Sequence, residues 1–358
     1  MGFLDSFKNI FKRGGGSSVL GIDVGSSAMK IVQLKRERGR AVLETYGEIA
    51  LGPYADKSVG QAVSLSPKII ATAFEDLAHE AKVTTHNCGV AIPLSSSLIN
   101  LIKVPNLPEE KLGEMIPIEA RKYIPVPISE VLLDWYLIPE GPGGDEKDDG
   151  KKEALIVAIH KDVISRYQSI IKNTKLNASF FEIEAFSTSR GVLDRGIEPV
   201  AVVDMGASST KLYISQAGVV RDSHIINEGS QDITQRIATS QNISFQEAEE
   251  RKRQAPKEEL ENLASGALNH IFSEIRRVIS QYQRTNNISI VDVHLSGGGS
   301  ELHGVLETAD EFLDAELHMA NPFSKVEAPA FLSDVLIQAG PEFSVAVGVA
   351  LRKLEENS

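Results

Sequence analysis

The sequence predicts an α/β protein built from two similar half-domains, and three stretches carry that prediction. In Val19–Lys35, VLGIDVGSSAMKIVQLK, an apolar run stops at Gly25-Ser26-Ser27 and a second alternating run begins at once. That is the pattern of a β-hairpin closed by a tight, small-residue turn. In Val200–Ile214, VAVVDMGASSTKLYI, the pattern returns: Asp204, Gly206, the small residues Ala207, Ser208 and Ser209, then Lys211. The Gly two places and the Lys seven places after the Asp recur in both copies, and such a duplicated hairpin implies two related halves facing one another. The third stretch, Val291–Ser300, VDVHLSGGGS, reads as a strand ending in Ser296-Gly297-Gly298-Gly299, with a helix expected from Glu301.

These residue types suit one chemistry. Glycine and serine let backbone N–H groups approach an anion closely, and Ser26, Ser27 and Lys30 add donors. Asp23 interrupts an apolar run, where a carboxylate is costly unless it holds a cation. Two such hairpins could grip a polyphosphate from both sides, with Asp23 and Asp204 set round a divalent ion. Three glycines at a strand-to-helix junction allow a flat ring or a phosphate to lie against bare backbone. Lys30 has a second reading, as a surface lysine on its strand.

The elements follow in order. Met1–Arg13 places Phe3, Leu4, Phe7, Ile10 and Phe11 on one helical face beside Lys8, Lys12 and Arg13, and Gly14–Ser18 forms a tether. A membrane surface, a partner groove, docking on its own domain and a frayed terminus are all open to it. Ala41–Leu51 is a third strand. Ser66–Lys82 is a helix with Ser66 as N-cap and Pro67 at its first position. Cys88–Pro93 and Leu98–Val104 are strands, Pro108–Ile124 a helix that Pro117 kinks or divides, and Val131–Pro139 a strand. Gly141–Lys152 is a charged, turn-rich loop. Ala154–His160 and Phe180–Ile183 are strands, with helices at Lys161–Lys175 and Ala185–Leu193. After the second hairpin come strand Val219–Ile226, helix Ser230–Ser240, the charged helix Phe245–Arg253 capped by Ser244, and the long helix Leu260–Arg284. Ser344–Lys353 closes the chain as a helix expected to pack on the second half.

The three glycine-containing stretches resemble the two phosphate motifs and the adenosine motif of the actin-like ATPase superfamily, to which hexokinase also belongs. Glu119–Pro125 with Val131–Trp135, Glu182–Phe186, and Ala320–Phe323 with Val345–Leu351 narrow the resemblance to the PilM family of type IV pilus assembly proteins, relatives of FtsA. The resemblance spans about Leu20 to Leu354. It implies an actin-like, ribonuclease H-like duplicated two-domain ATPase fold with an inserted FtsA-type 1C subdomain, at about 101–177. The first domain would run 19–198 behind the segment 1–18. The second would run 199–358, with a nucleotide-contacting helical subdomain at about 229–265.

The resemblance also implies ATP and Mg²⁺ as cofactors. Asp23 and Asp204 would hold Mg²⁺; Gly25, Ser26, Ser27, Gly206, Ala207, Ser208 and Ser209 would cradle phosphates, with Lys30 neutralising them. Gly297, Gly298 and Gly299 would seat adenosine, reached also by Glu249 and Lys252 of the segment Ala248-Glu249-Glu250-Arg251-Lys252. Glu184 would orient the attacking water, against its plain reading as an exposed glutamate at a helix N-terminus. The implied partner is the cytoplasmic N-terminal peptide of PilN, bound between subdomains 1A and 1C of a cytoplasmic protein peripheral to the inner membrane. Other inner-membrane pilus components, a peripheral membrane contact through Met1–Arg13 and self-association complete the partners. Tyr123, Ile124 and Trp135, near that groove in sequence, are expected in the core. The implied role is a scaffold that reads nucleotide state with slow turnover at most. A filament-forming relative of FtsA and MreB is the alternative, and the chain lacks a recognisable sugar-kinase substrate motif.

Composition sets the outer bounds. The 358 residues suffice for two cored domains. Lys+Arg of 37 against Asp+Glu of 49 gives a net charge of −12, which argues against nucleic acid as a partner. The single Cys88 precludes an internal disulfide and is expected in the core. No continuous apolar run reaches the roughly 20 residues of a bilayer span.

Overall fold

The computed structural model describes residues 18–138, 151–194 and 196–356. The N-terminal amphipathic segment and all but the last two residues of the Gly141–Lys152 loop lie outside them. The first half opens with β1 (Val19–Val24), β2 (Ala28–Glu37) and β3 (Arg40–Ala50), followed by α1 (Pro67–Glu80) and β4 (Asn87–Ile92). Next come β5 (Ser97–Pro105), α2 (Glu109–Ala120), β6 (Val131–Leu137), β7 (Lys151–His160), α3 (Lys161–Lys172), β8 (Asn177–Ile183) and α4 (Glu184–Val192). The second half contains β9 (Val200–Met205), β10 (Thr210–Gln216), β11 (Val219–Ile226), α5 (Ser230–Gln241), α6 (Phe245–Gln254) and α7 (Lys257–Asn286). It continues with β12 (Asp292–Ser296), α8 (Val305–Phe312), β13 (Glu316–Met319), α9 (Ser333–Ala339) and α10 (Ser344–Glu356).

The duplication is visible in the sheets. One has strand order β3-β2-β1-β4-β8 and the other β11-β10-β9-β12-β13. In each, an antiparallel three-strand meander is extended on its inner side by two parallel strands. Both hairpin turns close with the same hydrogen bond, from Gly25 N–H to the Ala28 carbonyl and from Gly206 N–H to the Ser209 carbonyl, each 3.0 Å. The small third sheet, β5-β7-β6, uses only residues from Ser97 to His160 and shares a core with α2. By contrast Tyr167 and Ile170 of α3 join the core of the first large sheet.

Several local expectations are corrected. No α-helix starts at Glu301: Gly298–Glu301 forms one 3-10 turn, Leu302 is extended, and α8 begins only after Gly304. Ser66 occupies the N-cap of α1 without a side-chain capping bond. Ser244 does cap α6, its hydroxyl accepting from Glu247 N–H while Glu247 accepts from the Ser244 N–H. Pro117 neither stops nor divides α2, which runs on to Ala120. The carbonyl that a proline leaves unpaired there belongs to Gly113, whose surroundings are open. Tyr123 is 39% exposed, whereas Ile124 is buried and Trp135 packs against the small core.

The largest correction concerns α10. It packs chiefly on β1, β2, β4 and α4 of the first half, and meets the second sheet only at its start, where the Ser296 hydroxyl of β12 donates to that of Ser344. Val345, Ala346, Val347, Val349 and Ala350 are buried on every side of it, so it must be enclosed rather than laid on a surface. Close approach is possible because glycines face it. A Cβ on Gly348 would lie 1.8 Å from the Ser187 carbonyl of α4, and one on Gly21 would lie 2.1 Å from the Ala346 carbonyl. The helical run Ala330–Glu356 is apolar and long enough to cross a membrane, but 61% of its most apolar stretch is buried in the protein. It serves as a core helix.

An ionic network fastens this helix. Glu182, next to the last residue of β8, is enclosed between Arg190 of α4 and Arg352 of α10, with contacts of 2.8 Å to each. The Ser187 hydroxyl also donates to it, at 2.7 Å. Burial acts to raise the Glu182 pKa, but Arg190, Arg352 and Ser187 outweigh it, leaving the carboxyl below its ordinary range. Its stabilising effect is therefore complete above the unfolded-state value of 4.5 and fades as pH falls through the lowered folded value. Glu182→Gln leaves two guanidinium groups without their shared anion, so urea unfolding at pH 7 should show a loss of about 3–5 kcal/mol. The loss should shrink in acid.

Candidate functional site

The cleft between the two large sheets is a cavity of about 870 Å³. Its floor is set by strand register. Asp23 faces Lys30 across the first hairpin, and Asp204 faces Lys211 across the second, because the seven-residue spacing places each Asp–Lys pair on one antiparallel rung. The turn residues Gly25, Ser26 and Ser27 line one side, and Gly206, Ala207, Ser208 and Ser209 the other.

Both turns have their carbonyls engaged from behind. Leu51 and Val63 N–H groups donate to Ser27 and Ser26, and Ser230 and Gln231 N–H groups donate to Gly206 and Ala207. Among the described residues, the N–H groups of Ser26, Ser27, Ala207, Ser208 and Ser209 make no backbone hydrogen bond of their own. Two facing sets of unpaired amides result, an arrangement suited to anions. At their closest point the Ser208 hydroxyl donates to that of Ser26 at 3.1 Å, joining the two halves.

Lys211, absent from the expected site set, is the charge centre of the floor. Its ammonium lies 3.2 Å from Asp204 and 2.9 Å from Glu184. Burial alone would lower its pKa, but Asp204 and Glu184 carry it well above the ordinary lysine value. The signal was present: Lys211 holds the same place after Asp204 as Lys30 after Asp23. Glu184 is not an exposed helix-end residue. It is buried at the start of α4, with one oxygen accepting from Leu94 N–H at 2.7 Å and the other from Lys211.

Lys30 is not a surface residue either. It is mostly enclosed, 3.5 Å from Glu48 and 3.8 Å from Glu342, and these two raise its pKa against the opposing effect of burial. Glu48 and Glu301 neighbour Glu342, and burial with the nearby Glu342 charge pushes Glu301 up to about 8. This carboxylate group escaped the sequence reading because its members come from β3, the turn before α8 and the segment before α10.

The rear wall is the glycine-rich turn. Gly297 has φ of 81°, and a Cβ there would lie 2.5 Å from Asp204 Oδ1. Only glycine lets the turn sit directly on the carboxylate. Gly298 and Gly299 continue along the cavity. On the opposite rim Glu249 and Lys252 pair at 2.7 Å, with Thr234 and Arg253 also bonded to Glu249. The rims meet where Ala62 N–H donates to Gln231 Oε1 at 3.0 Å. Every residue named from the sequence for this site thus lines the one cavity.

Among the described residues, Asp23 is the floor carboxylate without an ion pair within 4.0 Å. Burial, with further contributions from Glu184 and Asp204, pushes its pKa up to about 7 despite Lys30 and Lys211. Asp23, Glu184 and Asp204 outnumber the two ammonium groups that act on Asp23, Lys30 and Lys211, an excess of negative charge that suits a divalent cation.

Two duplicated half-domains, each with an Asp–Lys hairpin turned into a shared cleft, define an actin-like protein. Over residues 21–354 the chain matches the family described as Type IV pilus assembly protein PilM, and it belongs to that family. Among solved structures it is similar to the PilM-PilN type IV pilus biogenesis complex, at 24% identity and a TM-score of 0.81, with 94% of this chain and 98% of that chain covered. It shares its fold with MreB 5 of Spiroplasma citri bound to AMPPNP, at 12% identity and a TM-score of 0.53 over 95% of this chain and 97% of that one. The cell division protein FtsA of Bacillus subtilis (strain 168) is 22% identical over 260 residues, 62% of this chain and 59% of that protein.

Asp23 supplies a test of the floor. Its raised pKa means that between the ordinary 3.8 and about 7 the folded chain retains a proton that the unfolded chain has lost. Stability is therefore lost as pH rises through that window. Asp23→Asn should raise the melting temperature of the nucleotide-free protein by a few degrees at pH 8 and by little at pH 5, measured by scanning calorimetry.

Proposed function

We propose that this protein is a cytoplasmic, ATP-binding scaffold of the type IV pilus machine, which docks the N-terminal peptide of PilN at the inner membrane and couples that docking to nucleotide state. The observation that carries the reading is the facing pair of Asp–Lys hairpins with their unpaired amides in one cavity. Bound Mg-ATP supplies a polyphosphate and a divalent charge that both halves can hold at once. In this reading the amides of Ser26, Ser27 and Ser208, Ser209 bind phosphate oxygens in place of the Ser26–Ser208 contact. Asp23 and Asp204 hold the cation, directly or through water, and Lys30 supplies positive charge from the first strand pair. Gly297–Gly299 offer bare backbone to the nucleoside, and the Glu249–Lys252 pair closes the rim above it.

Glu184 is the candidate to orient a water. Both of its oxygens are already engaged, by Leu94 N–H and Lys211, which fixes the carboxylate but limits its freedom to take a proton. That supports slow turnover and a role in which occupancy, more than hydrolysis, sets the angle between the halves. The small-sheet unit supports the partner assignment: Tyr123, Leu132 and Tyr136 are exposed on it, and apolar side chains of that size on a surface suit an extended peptide.

Gly297→Ala should lower ATP affinity at least about tenfold in equilibrium dialysis, since the new methyl collides with Asp204 and the positive φ disfavours it. A PilN-type N-terminal peptide should bind the wild-type protein more tightly with Mg-ATP than without it, and Asp204→Ala should remove the difference. Tight binding indifferent to ATP would reduce the nucleotide to a structural ligand. No peptide binding would overturn the scaffold assignment.

A further inference from the structure

The second sheet carries another polar cluster, at the end of β12 remote from the cleft. Strands β12 and β13 run parallel, with Asp292 opposite Glu316 and His294 opposite His318. The two-residue period of a strand puts these four side chains on one face. Val293, Leu295 and Leu317 take the other face, in the core of the second half.

On the polar face His318 Nε2 lies 3.4 Å from Asp292 Oδ1 and 3.7 Å from Glu316 Oε1. One donor atom from each of the three falls within 4.8 Å of the others, and among the described residues no other group of three His, Cys, Asp or Glu side chains does so. Ligands of a tetrahedral first-row ion with bonds of 2.0–2.2 Å stand about 3.3–3.6 Å apart, close to the two distances from His318. His318 Nε2 is hydrogen-bonded to Asp292 Oδ1, with Glu316 just beyond hydrogen-bond reach on the same face, so a cation would take the place of that contact. His294 packs beside His318, with ring centroids 5.0 Å apart and the planes tilted by 32°.

We propose that Asp292, Glu316 and His318 form a site for a first-row divalent transition metal, represented by Zn²⁺, with a fourth position open to water. An imidazole with two carboxylates favours such an ion over Mg²⁺, which prefers an all-oxygen octahedron and retains its waters. The site bridges the last inner strand and the sheet's four-residue edge strand, so the ion would pin β13 to β12. It is independent of the nucleotide cleft: Asp292 and Ser296 stand at opposite ends of β12, roughly 13 Å apart by strand rise.

The test uses the full chain, stripped with chelator and free of nucleotide. Equilibrium dialysis at micromolar Zn²⁺ should find one ion per chain, and Zn²⁺ should raise the melting temperature while Mg²⁺ does not. His318→Ala and Glu316→Gln should each weaken Zn²⁺ binding at least about tenfold, and Glu311→Gln, an exposed carboxylate of α8 outside the cluster, should leave it unchanged. Glu316 is 76% exposed, so its substitution does not threaten folding, and circular dichroism checks that of His318→Ala. Wild-type Zn²⁺ affinity in either ligand variant, binding that requires ATP, or no binding at micromolar Zn²⁺ would overturn the site.

Discussion

The mostly enclosed ammonium of Lys211 joins the two halves at the floor of the cleft. It belongs to β10 of the second half, yet one of its two carboxylate partners, Glu184, starts α4 of the first. A lysine taken out of water is tolerated only where its charge is matched, so the position of α4 relative to β10 is constrained by this contact. Everything else in the cleft is arranged round it. Asp204 is held against Gly297, Glu184 is held against Leu94, and Asp23 is left as the floor carboxylate that no short ion pair satisfies.

A second network does the same for the C-terminal helix. Arg352 reaches Glu182 at 2.8 Å and lies over the Phe180 ring, 4.0 Å from its centroid. The chain therefore returns from the second half to finish inside the first, and Glu342, just before α10, is carried with it to the mouth of the cleft near Lys30. One element so contributes to packing of the first sheet and to the electrostatics of the site. Movement of the halves against each other has to be accommodated through the segments that cross between them. The Ser26–Ser208 and Ala62–Gln231 hydrogen bonds are the weaker links, since neither is charged.

Much of the lining of the cleft was legible in the sequence. Asp23 and Asp204 betray themselves as carboxylates in apolar runs, and the turns by their small residues, because hairpins depend on chemistry within a few residues of the chain. Ser244 capping α6 is legible for the same reason. The helix start placed at Glu301 failed because the turn after Gly297 is shaped by Asp204 and Met205 beneath it, not by its own sequence. Tyr123 lies at the edge of a small subdomain whose core was already filled by Ile116, Ile124 and Ile156, a matter of packing volume that no local pattern records.

What the sequence by itself determined, then, is the pair of hairpins, their Asp–Lys rungs and the glycine-rich turn, each the product of neighbours in the chain. Tertiary structure alone decided that Lys211 pairs with Glu184, that Lys30 is ringed by Glu48 and Glu342, that α10 belongs to the first half, and that Asp292, Glu316 and His318 share a face. The physical reason is the same throughout. Buried charges must find counter-charges, and a helix apolar on all sides must be enclosed, but which distant segment supplies the partner is settled only when the whole core is packed.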